Sequence, residues 1–537
     1  MTEPAEQVDA VVVGGGVNGL VAAATLADAG WDVVLLEAGP LGGAVRSATH
    51  EGVVLDLFSA FYPLSAASPV LNGLGLEDHG LRWERSPAPV AQPLSADDDR
   101  GAVIDPDPEV TAAELDAWYP GDGQAWLDQV ALWRRVREPL MSTLLGTWPP
   151  VTAAARLARV LGLAGAAPTA RLLSLPVLRM GHELFGSEAG RQLLLGNSMH
   201  ADIPPVATGS GAFGWLLCML AQDVGFPVPR GGAGELVAAL ARRARSAGAR
   251  VDEHRPVTSV VVSGGRADGV RTADGGSIGA RRAVVAALDA EVLLRDLVGE
   301  AHLPSSVLPR LRTFERDLPT VKTNWVLPGP VPWTAKHARR AATVHCGPDV
   351  EATVRWSADL ESGVLPETPV LVIGQMALAD RSRAPDGQEV LWAYTHLPRR
   401  LVDADRATLE KAAHEQSRRS GELIERLAPG ALDGATHHFV QTPCDLQDAD
   451  ASLVAGGLNG GTTQVHQQLV FRPFAGGWGA RLPVERLYLG GASAHPGGGV
   501  HGSCGHNAAR TALYDERLVG RATAPARRAV QRRVLPD

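Results

Sequence analysis

Lysine is almost missing from this chain. Of 50 basic residues only Lys322, Lys336 and Lys411 are lysines, so 50 − 3 leaves 47 arginines. Codon bias accounts for that total, but not for where the three lysines remain. Aromatic side chains are scarce too, at 5% of the residues, with tyrosine present five times. The four cysteines (Cys218, Cys346, Cys444 and Cys504) stand far apart with no C-x-x-C pair. That excludes a disulfide-dense scaffold and suits a reducing cytoplasm. No uninterrupted apolar run reaches the roughly 18 residues of a membrane span. The opening stretch, MTEPAEQVDAVVVGGG, lacks the basic and apolar regions of a signal peptide. A basic excess is also absent: the formal net charge is -9, which leaves no footprint for nucleic-acid binding.

What the chain does have is material for a core. With 537 residues, 45% of them hydrophobic, it is too apolar to be mainly disordered. Its length fits several domain-sized units, or fewer that share one large core.

The first readable unit lies at residues 8–47. VDAVVV reads as a buried parallel strand, because it is short, apolar and rich in β-branched residues. It runs into Gly14-Gly15-Gly16-Val17-Asn18-Gly19, then a small-residue helix, then the strand WDVVLLEAG. This is a βαβ start carrying G-x-G-x-x-G at Gly14, Gly16 and Gly19. Gly14 allows the tight turn, Gly16 lets backbone approach a pyrophosphate, and Gly19 lets helix and strand pack closely. The helix N-terminus offers unpaired N–H groups to phosphate. Glu37, ending the second strand, is placed to accept hydrogen bonds from a ribose. A second match at Gly209, Gly211 and Gly214 follows Pro204-Pro205 and so lacks the preceding strand. It reads as a turn into a helix.

Residues 80–225 are mostly helical in pattern. No acidic residue occurs between Glu138 and Glu183, where Arg156, Arg159, Arg171 and Arg179 carry the charge. This segment fits a helix pair on a membrane surface. It also fits a core-facing helical hairpin whose arginines reach solvent, and Pro168 and Pro176 favour the hairpin by interrupting a long helix. Residues 230–290 return to a helix and then a meander of hairpins, split by Gly-Gly and Asp-Gly turns. Residues 320–440 alternate strand-like runs with one long helix, the pattern of a second, mixed-sheet domain.

A second glycine-rich unit closes the chain. In RLYLGGASAHPGGGVHGSCGHNAARTALYDERL a buried strand and a glycine loop lead into a helix beginning near Ser503. Cradles of this kind at both ends of the chain imply that the ends meet around one extended ligand. His495, His501, Cys504 and His506 lie in this loop, but their spacing does not form a closed tetrahedral set, so no metal is expected. A G-x-S-x-G nucleophile elbow is also absent.

The N-terminal βαβ unit and LGGASAHPGGGVHGSCGHNAA, with the strand-rich return near 255–290, resemble the FAD-dependent phytoene desaturase and amine oxidase superfamily. HPGGGV-x-G, QTPCDLQ (441–447) and QQLVFRP (467–473) resemble its phytoene dehydrogenase-related branch. The resemblance implies an α/β fold: a Rossmann-like FAD-binding domain assembled from discontinuous segments, plus a mixed-sheet substrate domain with helical insertions. The implied FAD-binding segments are 1–80, 226–300 and 476–537. The substrate domain then takes 301–475, with a helical insertion at 81–225.

For the cofactor the resemblance implies Gly14, Gly16, Gly19, Glu37 and Arg46 at the ADP half and Val257 beside adenine. It implies Gly491, Ala492, Gly499 and Val500 near the pyrophosphate and ring. Two departures stand out. The usual G-G-R is here Gly42-Gly43-Ala44-Val45-Arg46, and DLFSAFYP (56–63) lacks the Asp-x-Gly of many desaturases.

Flavin chemistry asks the protein for orientation, dryness and one base at most. In TVKTNWVL, strand alternation puts Lys322 and Asn324 on one face and Val321, Thr323 and Trp325 on the other. A lysine inside an apolar strand is costly unless it is paired or faces a wet cavity. Lys322 resembles the lysine that amine oxidases present toward flavin N5, which makes Lys322 and Asn324 the catalytic candidates. An edge-strand lysine pointing to solvent is the competing reading.

Three functions follow. The first is FAD-dependent dehydrogenation, or isomerisation by reversible hydride transfer, of a small hydrophobic substrate such as a polyene or terpenoid. The second is a flavin amine oxidase. The third is a non-catalytic flavin-binding interaction protein. A cytoplasmic location, with membrane-peripheral contact left open, completes the expectations.

Overall fold

The computed structural model describes residues 6–385, 387–477 and 479–535. The first five residues of the stretch read above for a leader lie outside it. In chain order the elements that position the site begin with β1 (Glu6–Val13), α1 (Val17–Asp28), β2 (Val33–Leu36), β3 (Ala88–Pro93) and β4 (Gly101–Ile104). Next come α2 (Val151–Ser174), β5 (Arg250–Asp252), β6 (Val257–Ser263), β7 (Arg266–Thr272) and β8 (Ser277–Ala286). Then follow β9 (Thr320–Leu327), β10 (Ala341–Cys346), β11 (Leu371–Gln375), β12 (Glu389–His396) and α3 (Arg406–Leu427). The series ends with β13 (His437–Gln441), β14 (Leu487–Leu489) and α4 (Ser503–Glu516).

One seven-stranded sheet runs β6-β7-β8-β1-β2-β5, with β14 also paired to β8. Its centre is parallel: β1 pairs with β2 and β8, and β8 with β14. The reason lies in the residues of β1. Ala10 and Val12 enter one apolar core while Val8, Val11 and Val13 enter another, so the strand is buried on both faces. Strands distant in sequence thus build one Rossmann-like sheet, and the fold is the α/β arrangement expected.

The second seven-stranded sheet is mixed, in the order β13-β9-β12-β11-β10-β3-β4. One face packs on α3: Trp325, Ile373 and Ala393 share a core with Leu423 and Ile424. The opposite face carries the residues that alternate with these. Register sets Lys322 opposite Tyr394 and Gln441, and Asn324 opposite Trp392 and Phe439. Lys322 and Asn324 therefore share a face, as alternation requires. β9 lies between β13 and β12 and Lys322 is buried, so the solvent-pointing edge lysine is excluded.

The 139–182 region departs from the favoured expectation in two ways. α2 contains Pro168 and bends at Gly162 (φ 64°) instead of stopping at the proline. Ala164, whose carbonyl loses its partner to Pro168, is exposed to water that can satisfy it. α2 is also not core-facing: none of its residues is buried, and only partly buried leucines such as Leu157 and Leu172 touch the core. Among the described residues, no helix is long and apolar enough to cross a membrane.

Candidate active site

The N-terminal motif folds as its spacing requires. Gly14 adopts φ 99°, a left-handed value that favours glycine. A β-carbon on Gly19 would sit 1.9 Å from the Gly14 carbonyl oxygen. Gly16 caps α1 with no side-chain hydrogen bond to the first turn, and a β-carbon there would meet nothing closer than 3.8 Å. Free N–H groups thus face open space, which fits a pyrophosphate. Glu37 accepts from Gly15 N–H (2.5 Å) and Gly39 N–H (2.8 Å), which fixes its carboxylate at the end of β2. Val257 opens β6 close by, two residues after Arg255, whose N–H donates to the Glu37 carbonyl (2.8 Å).

Arg46 is held differently. Its guanidinium donates to the carbonyls of Gly43 (2.9 Å) and Ala449 (2.7 Å) and lies over Phe58.

The C-terminal cradle comes to the same place. α4 crosses α1 so closely that a β-carbon on Gly505 would lie 1.8 Å from the Asn18 carbonyl oxygen. Gly505→Val is expected to push the two helices apart at a cost of about 1–3 kcal/mol, as overpacking typically does. The check is the flavin-to-protein absorbance ratio together with Tm, both of which should fall. Gly491 lies against the backbone of Leu288, and Gly499 against Leu64. The Val500 carbonyl accepts from the Ser65 hydroxyl.

The loop containing Ala492 is secured by a residue of the QQLVFRP segment to which the sequence assigned no role. Arg472 is fully buried and donates to five backbone carbonyls: Ala492 (3.1 Å), Thr462 (2.9 Å), Asn459 (2.8 Å), Gly460 (2.9 Å) and Gly461 (3.2 Å). Burial pulls its pKa below the usual arginine value.

Three of the four His and Cys residues of the loop take separate hydrogen-bond partners, and the fourth, His495, lies edge-on to Trp148. Cys504 Sγ donates to the Gly497 carbonyl (3.3 Å), His501 Nδ1 accepts from Ser503 N–H (3.0 Å), and His506 Nδ1 lies 3.4 Å from Thr25. Among the described residues no group of three or more His, Cys, Asp or Glu side chains could hold a metal ion.

On the second sheet stands Lys322, facing the 56–58 segment. Its Nζ donates to the carbonyls of Asp56 and of Phe58 (3.3 Å) and lies 5.3 Å from the Trp392 ring centre. Burial is the largest influence on it and lowers its pKa to about 7; Asp56 pulls the value up and Arg383 pushes it down. A neutral amine has two N–H bonds, both used here by carbonyls, so its lone pair is left over. Asn324 Nδ2 donates to Gln441 Oε1 (3.1 Å) on the neighbouring strand, which fixes it as a support.

Asp56 and Arg383 form an ion pair with both side chains sealed from solvent. Ser47 Oγ (2.7 Å) and Ala233 N–H (2.8 Å) also donate to the Asp56 carboxylate.

On Lys322's side of the sheet is an internal chamber. Tyr394 and His200 lie deep in the molecule yet keep accessible surface. Rings continue from Trp392 to Phe61 (5.7 Å), to Phe226 (6.4 Å) and to His200 (5.9 Å). His200 and His345 meet Nε2 to Nε2 at 2.7 Å. Burial lowers the pKa of His200 and of His396 to about 4, so both stay neutral near pH 7. The rings and the two neutral histidines thus give the chamber an aromatic side next to Lys322.

Residues 18–513 match the profile of the family described as flavin containing amine oxidoreductase. The chain belongs to this family.

A flavin containing amine oxidoreductase of this kind is an FAD-dependent enzyme, here one that applies flavin redox chemistry to an apolar substrate. A mouse relative, pyridine nucleotide-disulfide oxidoreductase domain-containing protein 2, is 26% identical over 547 positions, covering 94% of this chain and 93% of its own. Hydroxyneurosporene desaturase of Cereibacter sphaeroides is 28% identical, with 94% and 97% covered. The structure of a putrescine oxidase triple mutant superposes with a TM-score of 0.59 at 18% identity, covering 94% of this chain and 98% of that one. The last likeness establishes shared fold.

Proposed function

We propose that the chain oxidises an apolar amine, with FAD held between its two glycine cradles and Lys322 as the base. The observation that carries this reading is Lys322 itself: buried, with a pKa near neutral, its N–H bonds turned to Asp56 and Phe58. An amine in water is mostly protonated and must shed that proton before a hydride can leave the adjacent carbon. Neutral Lys322 takes the proton. The substrate C–H bond then breaks with its electron pair, and the nitrogen lone pair forms the C=N bond of an imine. Bound flavin supplies the two-electron, hydride-accepting ring. Asn324 holds the Gln441 strand end, and the chamber rings exclude water from the reacting carbon.

In this reading the first turn of α1, with Gly14, Gly16 and Gly19, holds the pyrophosphate. Glu37 takes the ribose hydroxyls, and the Val257 backbone meets adenine. Gly491, Ala492, Gly499 and Val500 line the cofactor on the far side. Arg46, committed to two carbonyls, orders the 43–46 loop and leaves the phosphates to the helix N-terminus.

The sequence alone ranks a polyene or terpenoid first. The buried lysine moves the amine ahead, and the family profile and the putrescine oxidase fold support that order. The desaturase relative keeps dehydrogenation of a polyene as the second reading, in which Lys322 receives the proton lost beside the hydride. Aerobic incubation of the holoprotein with apolar amines should release hydrogen peroxide. Anaerobic flavin bleaching by a polyene, but not by amines, would reverse the order. A protein without flavin absorbance after gentle preparation would remove both.

A further inference from the structure

The two longest stretches of the chain without a carboxylate are residues 139–182 and residues 451–484. They are remote in sequence and adjacent in space. Gly209 N–H donates to the Ser174 carbonyl (3.1 Å) at the end of α2, and a β-carbon on Gly209 would lie 2.8 Å from the Val465 side chain. At the start of α2, Trp148 meets His495 edge-on with ring centres 5.6 Å apart. The surface they form is apolar and open. Leu163 is 99% exposed, and Val151, Val160, Leu469 and Phe471 are exposed as well. Arg156, Arg159 and Arg171 stand among them, also exposed; Arg171 is held by Glu183 (2.8 Å) and Arg156 lies 3.7 Å from Glu138, carboxylates just outside the stretch.

An apolar patch of this kind calls for a partner, and its charge says which. Four arginines (Arg156, Arg159, Arg171 and Arg179) against the two carboxylates that reach them, Glu138 and Glu183, leave a positive excess that complements anionic headgroups, while leucine, valine and phenylalanine enter the acyl boundary. A second copy of the chain is a poorer partner, because a two-fold contact would set Arg156 and Arg159 against themselves. We propose that α2 and the 465–471 segment form a dock for the surface of an anionic bilayer, beside the loop that carries His495. The dock does not depend on whether the substrate is an amine or a polyene.

The test is flotation of the purified holoprotein with vesicles of phosphatidylcholine, with and without phosphatidylglycerol. Binding is expected only with the anionic lipid, and it should weaken as salt rises. Arg156→Gln with Arg159→Gln should lower it about 25-fold, from roughly fivefold per basic residue at an anionic surface. Leu163→Glu with Phe471→Glu should abolish it while flavin absorbance stays intact, showing that the variant is folded. No flotation of the wild type, or flotation unchanged in these variants, would overturn the proposal. So would a dimer in sedimentation velocity that Leu163→Glu dissociates.

Discussion

Lys322→Met is expected to slow substrate-driven flavin reduction by a factor of about 10²–10⁴, the usual loss when a positioned base is removed. Flavin should still bind, because Lys322 reaches only the Asp56 and Phe58 carbonyls and the Trp392 face. Anaerobic stopped-flow measurement separates the two effects. In the wild type the reduction rate should rise with pH and level off above about 7, where Lys322 loses its proton. The methionine variant should lack that step. A rate within a factor of about three of wild type would remove Lys322 from the chemistry.

The same titration marks stability. The folded-state value of about 7 lies below the roughly 10.4 of an unfolded lysine. Between those values the unfolded chain holds the extra proton, so wild-type stability should climb as pH rises across that window. The climb should be missing in Lys322→Met.

Arg383→Met should cost about 3–5 kcal/mol, the range for stranding one partner of a buried ion pair. Asp56 would keep its bonds from Ser47 and Ala233 but lose its guanidinium partner in a site 1% exposed. Against a total stability of about 5–15 kcal/mol this is a large loss, readable as a fall in Tm or in denaturant midpoint. Adding Asp56→Asn should recover much of it, since no charge is then stranded. The pair is thus a hazard when broken more than a net source of stability. It also reaches the chemistry, because Arg383 pushes the Lys322 pKa down. In Arg383→Met the rate step should move to higher pH, a change that loose packing alone would not produce.

Local features were legible in the sequence. The β1 turn, α1 and Glu37 are contiguous, and each reports its role through spacing. Lys322 and Asn324 were placed on one face by alternation alone. The Asp56–Arg383 pair gave no such signal, because its partners are 327 residues apart and Asp56, although it opens the DLFSAFYP segment, carries no mark of its partner. Arg472 was hidden for a related reason: its acceptors are carbonyls, which any residue supplies. The chamber rings were hidden as well, since Phe61, Phe226, His200 and Trp392 come from four separate segments. Pro168 misled because a proline ends a helix reliably only where the freed carbonyl cannot reach water.

The sheet of the nucleotide half has a consequence for the order of biosynthesis. β1 pairs with β8, and β8 receives β14 only after some 200 further residues have been added. α4 then closes over α1. During translation the first glycine turn must therefore wait, folded or not, for a partner that begins only at Ser503. Contacts of such long range are slow to form and expose unpaired strand edges meanwhile. A chain cut short before residue 487 would lack β14 and α4 and is expected to lose the second of the two glycine cradles proposed to hold FAD.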